Sequence, residues 1–210
     1  MLDRNLLFVE GKDEAHVFYH FLQHHQIPKQ FKIENKEGID NLLETLPPTL
    51  RANSELERIG IVIDADTDLN SRWTALSNIL KNAGNVPNLP INPDPNGTIV
   101  TLEKLDSTLT VGIWIMPDNT VSGMLENFVS FLIPQDDTLW GKADNSLRQI
   151  SAEERRFPLD HRVKAQLYTW LAWQKEPGKP LGTAIAARYL DADAPHAQQL
   201  IAWIKRLFDL

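Results

Sequence analysis

The 210-residue chain has no cysteine, which excludes disulfides and thiolate metal sites and fits a reducing cytoplasm, the expected location. No apolar run approaches the roughly 20 residues needed to span a bilayer. The first residues contain no basic stretch leading into a continuous apolar segment, so neither a membrane span nor a secretory signal is expected. A G-x-x-x-x-G-K-[ST] phosphate loop is absent, which argues against an ATPase on this chain. There is no Gly-x-Ser-x-Gly elbow to carry a hydrolase serine. Positive charge is scarce too. With 21 Lys+Arg against 28 Asp+Glu, the net charge is −7, the opposite of a broadly basic nucleic-acid-binding surface.

What is present is unevenly distributed. Residues 151–210 hold 9 basic and 7 acidic side chains, leaving 12 and 21 for residues 1–150. Acidity therefore gathers in the part of the chain where strands and helices alternate. Bound cations would offset it if some of those carboxylates form one cluster.

Leu6–Val9 reads as a short buried strand, interrupted by Glu10-Gly11-Lys12. Asp13 and Glu14 then stand where a helix begins, and its dipole favours acids there. Val17, Phe18, Phe21 and Leu22 give that helix one apolar face. Phe31–Glu34 reads as a second strand. Ile39, Leu42, Leu43 and Leu46 mark a short helix that Pro47-Pro48 is expected to stop. Residues 59–63 form the next strand, and Trp73, Leu76, Ile79 and Leu80 the apolar face of a helix that Gly84 ends. "NVPNLPINPDPNG", with four prolines in residues 87–95, predicts irregular chain. Thr98–Leu102 and Thr110–Met116 read as strands, and "PDNTVSGMLENFVSFLI" as a loop feeding a helix. This alternation predicts an α/β fold with a mostly parallel sheet flanked by helices on both faces. After about residue 134 the strand signal stops. "HRVKAQLYTWLAWQ", "GTAIAARYL" and "AQQLIAWIKRLF" are helical by pattern. The expected organisation is an α/β unit over 1–133 with a helical extension over 134–210 packed on it.

In an open α/β sheet the loops after the carboxyl ends of the strands share one edge, where ligands bind. Glu10 follows the first strand, and Asp64, Asp66 and Asp68 follow the third in "IGIVIDADTDLN". Like charges brought that close need a cation between them. Hard carboxylate oxygens suit one or two Mg²⁺ or Mn²⁺ ions.

The glutamate in "FVEGKDE" and the Asp-x-Asp in "VIDADTD" resemble the two signature motifs of the Toprim domain. That domain is shared by bacterial primases, topoisomerases, small ribosomal-RNA maturation nucleases and the overcoming-lysogenization-defect (OLD) nucleases. "GIWIMPDN" followed by "SGMLENF" further resembles a stand-alone Toprim group related to the OLD nucleases. The resemblance implies a Toprim core over residues 1–133. It implies Glu10 as a metal ligand or general acid/base, with Asp64 and Asp66 as metal ligands. Asp68 matches a third acid found in many such motifs, with helix capping as its competing role. Asp13 or Glu14 either faces the metal from the first helical turn or is a surface acid. Glu126 is expected as a further ligand, with Asp118 as its competitor. A lysine downstream of the acids belongs near the metals in OLD-type nucleases. Lys164 is the candidate, against a plain snorkelling role. Lys12 is placed to contact phosphate or to screen the acids.

His16, His20, His24 and His25 crowd the first helix, but no third or fourth ligand is evident in the sequence, so they read as polar helix surface. Trp170, Trp173 and Trp203 read as packing or partner surface rather than base-stacking platforms. Two functional readings stay open. One is a metal-dependent phosphodiester-processing enzyme, a DNA or RNA nuclease, whose partners would be nucleic acid and a separate ATP-binding-cassette (ABC) type ATPase chain in phage defence. The other is a non-catalytic Toprim-like module that scaffolds a partner or nucleic acid. Either is compatible with a homo-oligomer.

Overall fold

The computed structural model describes residues 4–52 and 55–210. A five-stranded sheet runs through it in the order β2-β1-β3-β5-β4. The strands are β1 Asn5–Val9, β2 Lys32–Asn35, β3 Arg58–Asp64, β4 Thr98–Glu103 and β5 Thr108–Met116. β2, β1, β3 and β5 are parallel, and β4 closes one edge as an antiparallel partner of β5. The expected mostly parallel α/β sheet flanked by helices is the architecture of the chain. Among the described residues, no helix is long and apolar enough to cross a membrane.

Side chains alternate along each strand, and both faces of the sheet are apolar, which is why β3 and β5 read as nearly continuous hydrophobic runs. Phe8, Ile59, Ile61, Ile63, Ile113 and Ile115 face α2 (Ile39–Ala52) and α3 (Leu69–Ala83). On the other side, Leu7, Val9, Val62, Trp114 and Met116 face α1 (Lys12–His24) and α4 (Leu125–Ser130). That same cluster takes in α6 (Arg162–Ala172), α7 (Leu181–Ala186) and α8 (Pro195–Phe208), while α5 (Thr138–Arg148) packs against α6 and contributes Ala143. The helical segment after residue 134 therefore shares with α1 and α4 the cover of one face of the sheet. The first three residues of the expected 1–133 unit lie outside the described ones.

The seat of α8 depends on two glycines. Gly60 of β3 pairs in register with Gly112 of β5. A Cβ at Gly60 would come within 2.9 Å of a Leu207 methyl, and one at Gly112 within 2.5 Å. Arg58 fixes the end of the helix from below, its Nη1 donating to Leu207 O at 2.7 Å. Trp170 and Trp203 are fully buried in this layer, whereas Trp173 stands exposed.

One expected boundary is corrected. α2 does not stop at Pro47-Pro48 but carries both prolines inside the helix to Ala52. Leu42, Leu46 and Leu50 share one helical face, and all are fully buried. Burying Leu50 requires another turn of helix beyond the prolines, and that packing outweighs their poor helix propensity.

The topology also places the site. From β1 the chain crosses through α1 to β2 on one side, then through α2 to β3 on the other. The carboxyl ends of β1 and β3 thus flank a topological switch point, where open α/β sheets form their ligand crevice.

Candidate functional site

A cavity of about 700 Å³ opens at this edge, and Glu14, Asp64, Asp66, Glu126, Lys12 and Lys164 are among its lining residues. Glu10 adjoins it. Leaving β1, Glu10 turns its Oε2 to accept the Asp64 backbone N–H at 3.2 Å, so the two strand ends are tied together. Asp64, the last residue of β3, accepts the Leu125 N–H on Oδ1 at 2.9 Å. That bond joins β3 to the first turn of α4 and brings Glu126 alongside.

Glu126 lies in the first turn of α4, where the helix dipole favours an acid. Its side chain is 5% exposed and paired with Lys164, Oε1 to Nζ at 2.7 Å. Lys164 reaches in from α6. Burial opposes its charge, but the Glu126 carboxylate prevails and lifts its pKa above the usual lysine value. Lys164 thus meets Glu126 from a different helix.

Asp66 takes a left-handed backbone conformation, φ 51°, and bridges to Gly123 through its N–H at 2.8 Å. Arg72, one turn into α3, holds its carboxylate in a charge-assisted pair. Asp68 stands apart from this group. Its Oδ1 accepts the Ser71 N–H at 3.0 Å as the N-cap of α3, the competing role foreseen for it. Asp118 is likewise turned to its own loop, accepting the Thr120 and Val121 N–H groups and the Thr120 hydroxyl.

Glu14 is the acid that sequence reasoning weighed without committing to. It is buried, 8% exposed, and its carboxylate lies over Gly11, where a Cβ would stand 2.7 Å from Oε2. The signal was legible: Glu14 precedes Val17, Phe18 and Phe21 by three, four and seven positions, which sets a charge on the apolar stripe of α1. Arg72 carried no comparable mark. Nothing in "NSRWT" separates it from a surface arginine.

The electrostatics record how closely the acids crowd. Burial, then the charges of Glu14, Glu10, Glu126 and Asp66, push the Asp64 carboxyl up to about 9. Burial likewise raises Glu14 to about 7, with Glu10 and Glu126 adding to it. Glu10 is raised by the same loss of solvent, against its hydrogen bond from Asp64. In a cluster like this, carboxyls either keep protons or share a cation.

The histidines of α1 divide into two pairs. His16 and His20 contact each other at 3.1 Å between Nε2 atoms, whereas His24 and His25 turn toward Asp193.

Residues 4–209 match the family model described as Protein of unknown function (DUF3226), and the chain belongs to that family. No curated protein and no solved structure matches it.

Proposed function

We propose that this member of the DUF3226 family is a divalent-metal-dependent phosphodiester-processing enzyme of Toprim type, a nuclease acting on DNA or RNA. The observation that carries the reading is the convergence of Glu10, Glu14, Asp64, Asp66 and Glu126 on one crevice at the β1/β3 switch point, with Lys164 reaching in. The donor set fits Mg²⁺ or Mn²⁺, since every candidate ligand is a carboxylate oxygen and the acids lack enough cationic partners to neutralise them. Glu10, Glu14, Asp64, Asp66 and Glu126 are the side chains that would supply ligands to one or two such ions. Bound there, the ions would polarise the scissile phosphate and lower the pKa of an attacking water.

The remaining roles belong to side chains. Glu10, whose pKa burial lifts above its ordinary value, is the candidate proton acceptor. Lys164 fixes Glu126 and would supply positive charge beside the oxygens on which a phosphorane develops negative charge. Arg72 restrains Asp66, so that the strained turn after β3 presents its carboxylate in one orientation. Lys12, also at the cavity wall, is placed to meet a substrate phosphate.

With a net charge of −7, the chain is poorly equipped to hold a nucleic-acid backbone by itself. That favours a partner chain supplying the basic surface, and an ABC-type ATPase in phage defence is the arrangement the OLD resemblance implies. The test is cleavage of supercoiled plasmid, linear DNA and single-stranded RNA with Mg²⁺ or Mn²⁺, beside Glu10→Ala. Metal-dependent cutting that the variant loses supports the reading. No cutting, together with an unchanged melting temperature on adding metal, overturns it.

A further inference from the structure

A second cluster lies at the far end of α1, outside the acidic crevice. His24 and His25 close that helix, and Asp193 sits in the segment between α7 and α8. One ligand atom from each of the three residues falls within 4.8 Å of the others. His24 Nε2 is 3.3 Å from Asp193 Oδ2. Two ligands of a tetrahedral zinc ion, each about 2.1 Å from the metal, lie about 3.4 Å apart.

His25 gives the cluster its chemical direction. Its Nε2 is 3.0 Å from the Ala192 carbonyl oxygen, which can only accept, so Nε2 carries the ring proton. In the neutral ring, Nδ1 is then a bare lone pair. It faces Asp193 Oδ1 at 3.9 Å, a second acceptor with no proton between them. With the ring neutral the two acceptors face each other unbridged, and a cation between them resolves the contact. A ring nitrogen that donates to a backbone carbonyl while its partner nitrogen faces outward is also how metal-ligating histidines are oriented. Asp193 is itself oriented, its Oδ1 accepting from Gln198 Nε2 at 3.1 Å and its N–H donating to Asp191.

We propose that His24 Nε2, His25 Nδ1 and a carboxylate oxygen of Asp193 bind one borderline transition-metal ion of the zinc class, with a fourth position left to water. Two histidine donors separate this site from the carboxylate cluster of the crevice, so the two favour different metals. The ion would clip the end of α1 to the segment that feeds α8. The helix whose first turn carries Glu14 would thereby be anchored at both ends.

The experiment uses the full chain stripped with chelator, then titrated with Co²⁺ by visible absorption and with Zn²⁺ by calorimetry, in millimolar Mg²⁺ to occupy the acidic crevice. One equivalent should bind to the parent protein and equally to Asp64→Asn. Binding should weaken by about 100-fold or more, beyond the cost of losing an outer partner, in His24→Ala and in Asp193→Asn. Both side chains are substantially exposed, at 37% and 64%, so neither change threatens folding. In long-range ¹H–¹⁵N spectra, Zn²⁺ should shift His25 Nδ1 while Nε2 keeps its proton. A hundredfold excess of Zn²⁺ over Kd should raise Tm by roughly 5–10 °C. The proposal is overturned by an absence of saturable binding in the parent protein. Affinity unchanged in His24→Ala and Asp193→Asn overturns it too, as does binding that Asp64→Asn abolishes.

Discussion

Replacing Asp64 by asparagine removes a titratable carboxyl from the crevice yet keeps the Oδ1 that accepts the Leu125 N–H at 2.9 Å. The folded carboxyl is pushed up to about 9 from an ordinary value of 3.8, chiefly by burial and then by Glu14 and Glu10. A carboxyl with a raised folded pKa binds its proton more tightly in the fold, so ionisation in the unfolded chain works against folding. The penalty is absent below pH 3.8, grows as pH rises and levels off above pH 9. From 3.8 to pH 7 is about three decades, a ceiling of about 4 kcal/mol for an isolated site. Glu14, Glu10 and Glu126 share the repulsion and relax together, so the substitution should recover roughly 2–4 kcal/mol at pH 7. For a chain of this size that is a rise in Tm of roughly 5–15 °C. At pH 5 the ceiling falls to about 2 kcal/mol, and the gap between variant and parent should narrow accordingly. Thermal unfolding followed by circular dichroism, in chelator, at pH 5 and 7 reads both numbers. Adding Mn²⁺ should then raise the parent and leave Asp64→Asn behind. Equal midpoints at pH 7 in chelator, or a gap that does not widen from pH 5 to 7, would refute the electrostatic account of the crevice.

Because Asp64 and Glu14 hold protons in the metal-free site, Mn²⁺ binding should release them; affinity should rise with pH between 6 and 8, as calorimetry in buffers of different ionisation enthalpy would report. Lys164→Met should lower cleavage by about 10²–10³-fold, with partial recovery in Lys164→Arg, and should cost about 1–2 kcal/mol by leaving Glu126 without its partner. Gly112→Ala should destabilise by about 1–3 kcal/mol in urea titration, since its methyl would meet Leu207. Pro47→Ala should stabilise α2 by about 1–3 kcal/mol in the same assay; no gain would mean the proline is accommodated without strain.

Sequence pattern reached the sheet because β1, β3 and β5 are buried on both faces and leave unbroken apolar runs. It reached Glu10, Asp64 and Asp66 because these acids stand at or within a few residues of the end of such a run. Glu126 and Lys164 were accessible only through resemblance. Their meeting depends on α6 crossing α4, a tertiary contact with no local periodicity to betray it. The prolines of α2 misled because local propensity was read without knowing that Leu50 had a place in the core. The partner of His24 and His25 was invisible for a related reason, since Asp193 lies 169 positions after His24.

The seating of α8 on Gly60 and Gly112 also fixes an order of events during synthesis. Arg58 and its acceptor Leu207 are 149 residues apart. At about 5–20 residues per second, roughly 7–30 s pass after β3 is made before the helix that covers it exists. During that interval the helix-bearing face of β1, β3 and β5 stays partly bare, offering an apolar strand surface to whatever lies near the ribosome. Slow translation of the segment after Gly112 prolongs this exposure, so the yield of folded protein depends on how fast that segment is made and on what shields the nascent sheet meanwhile.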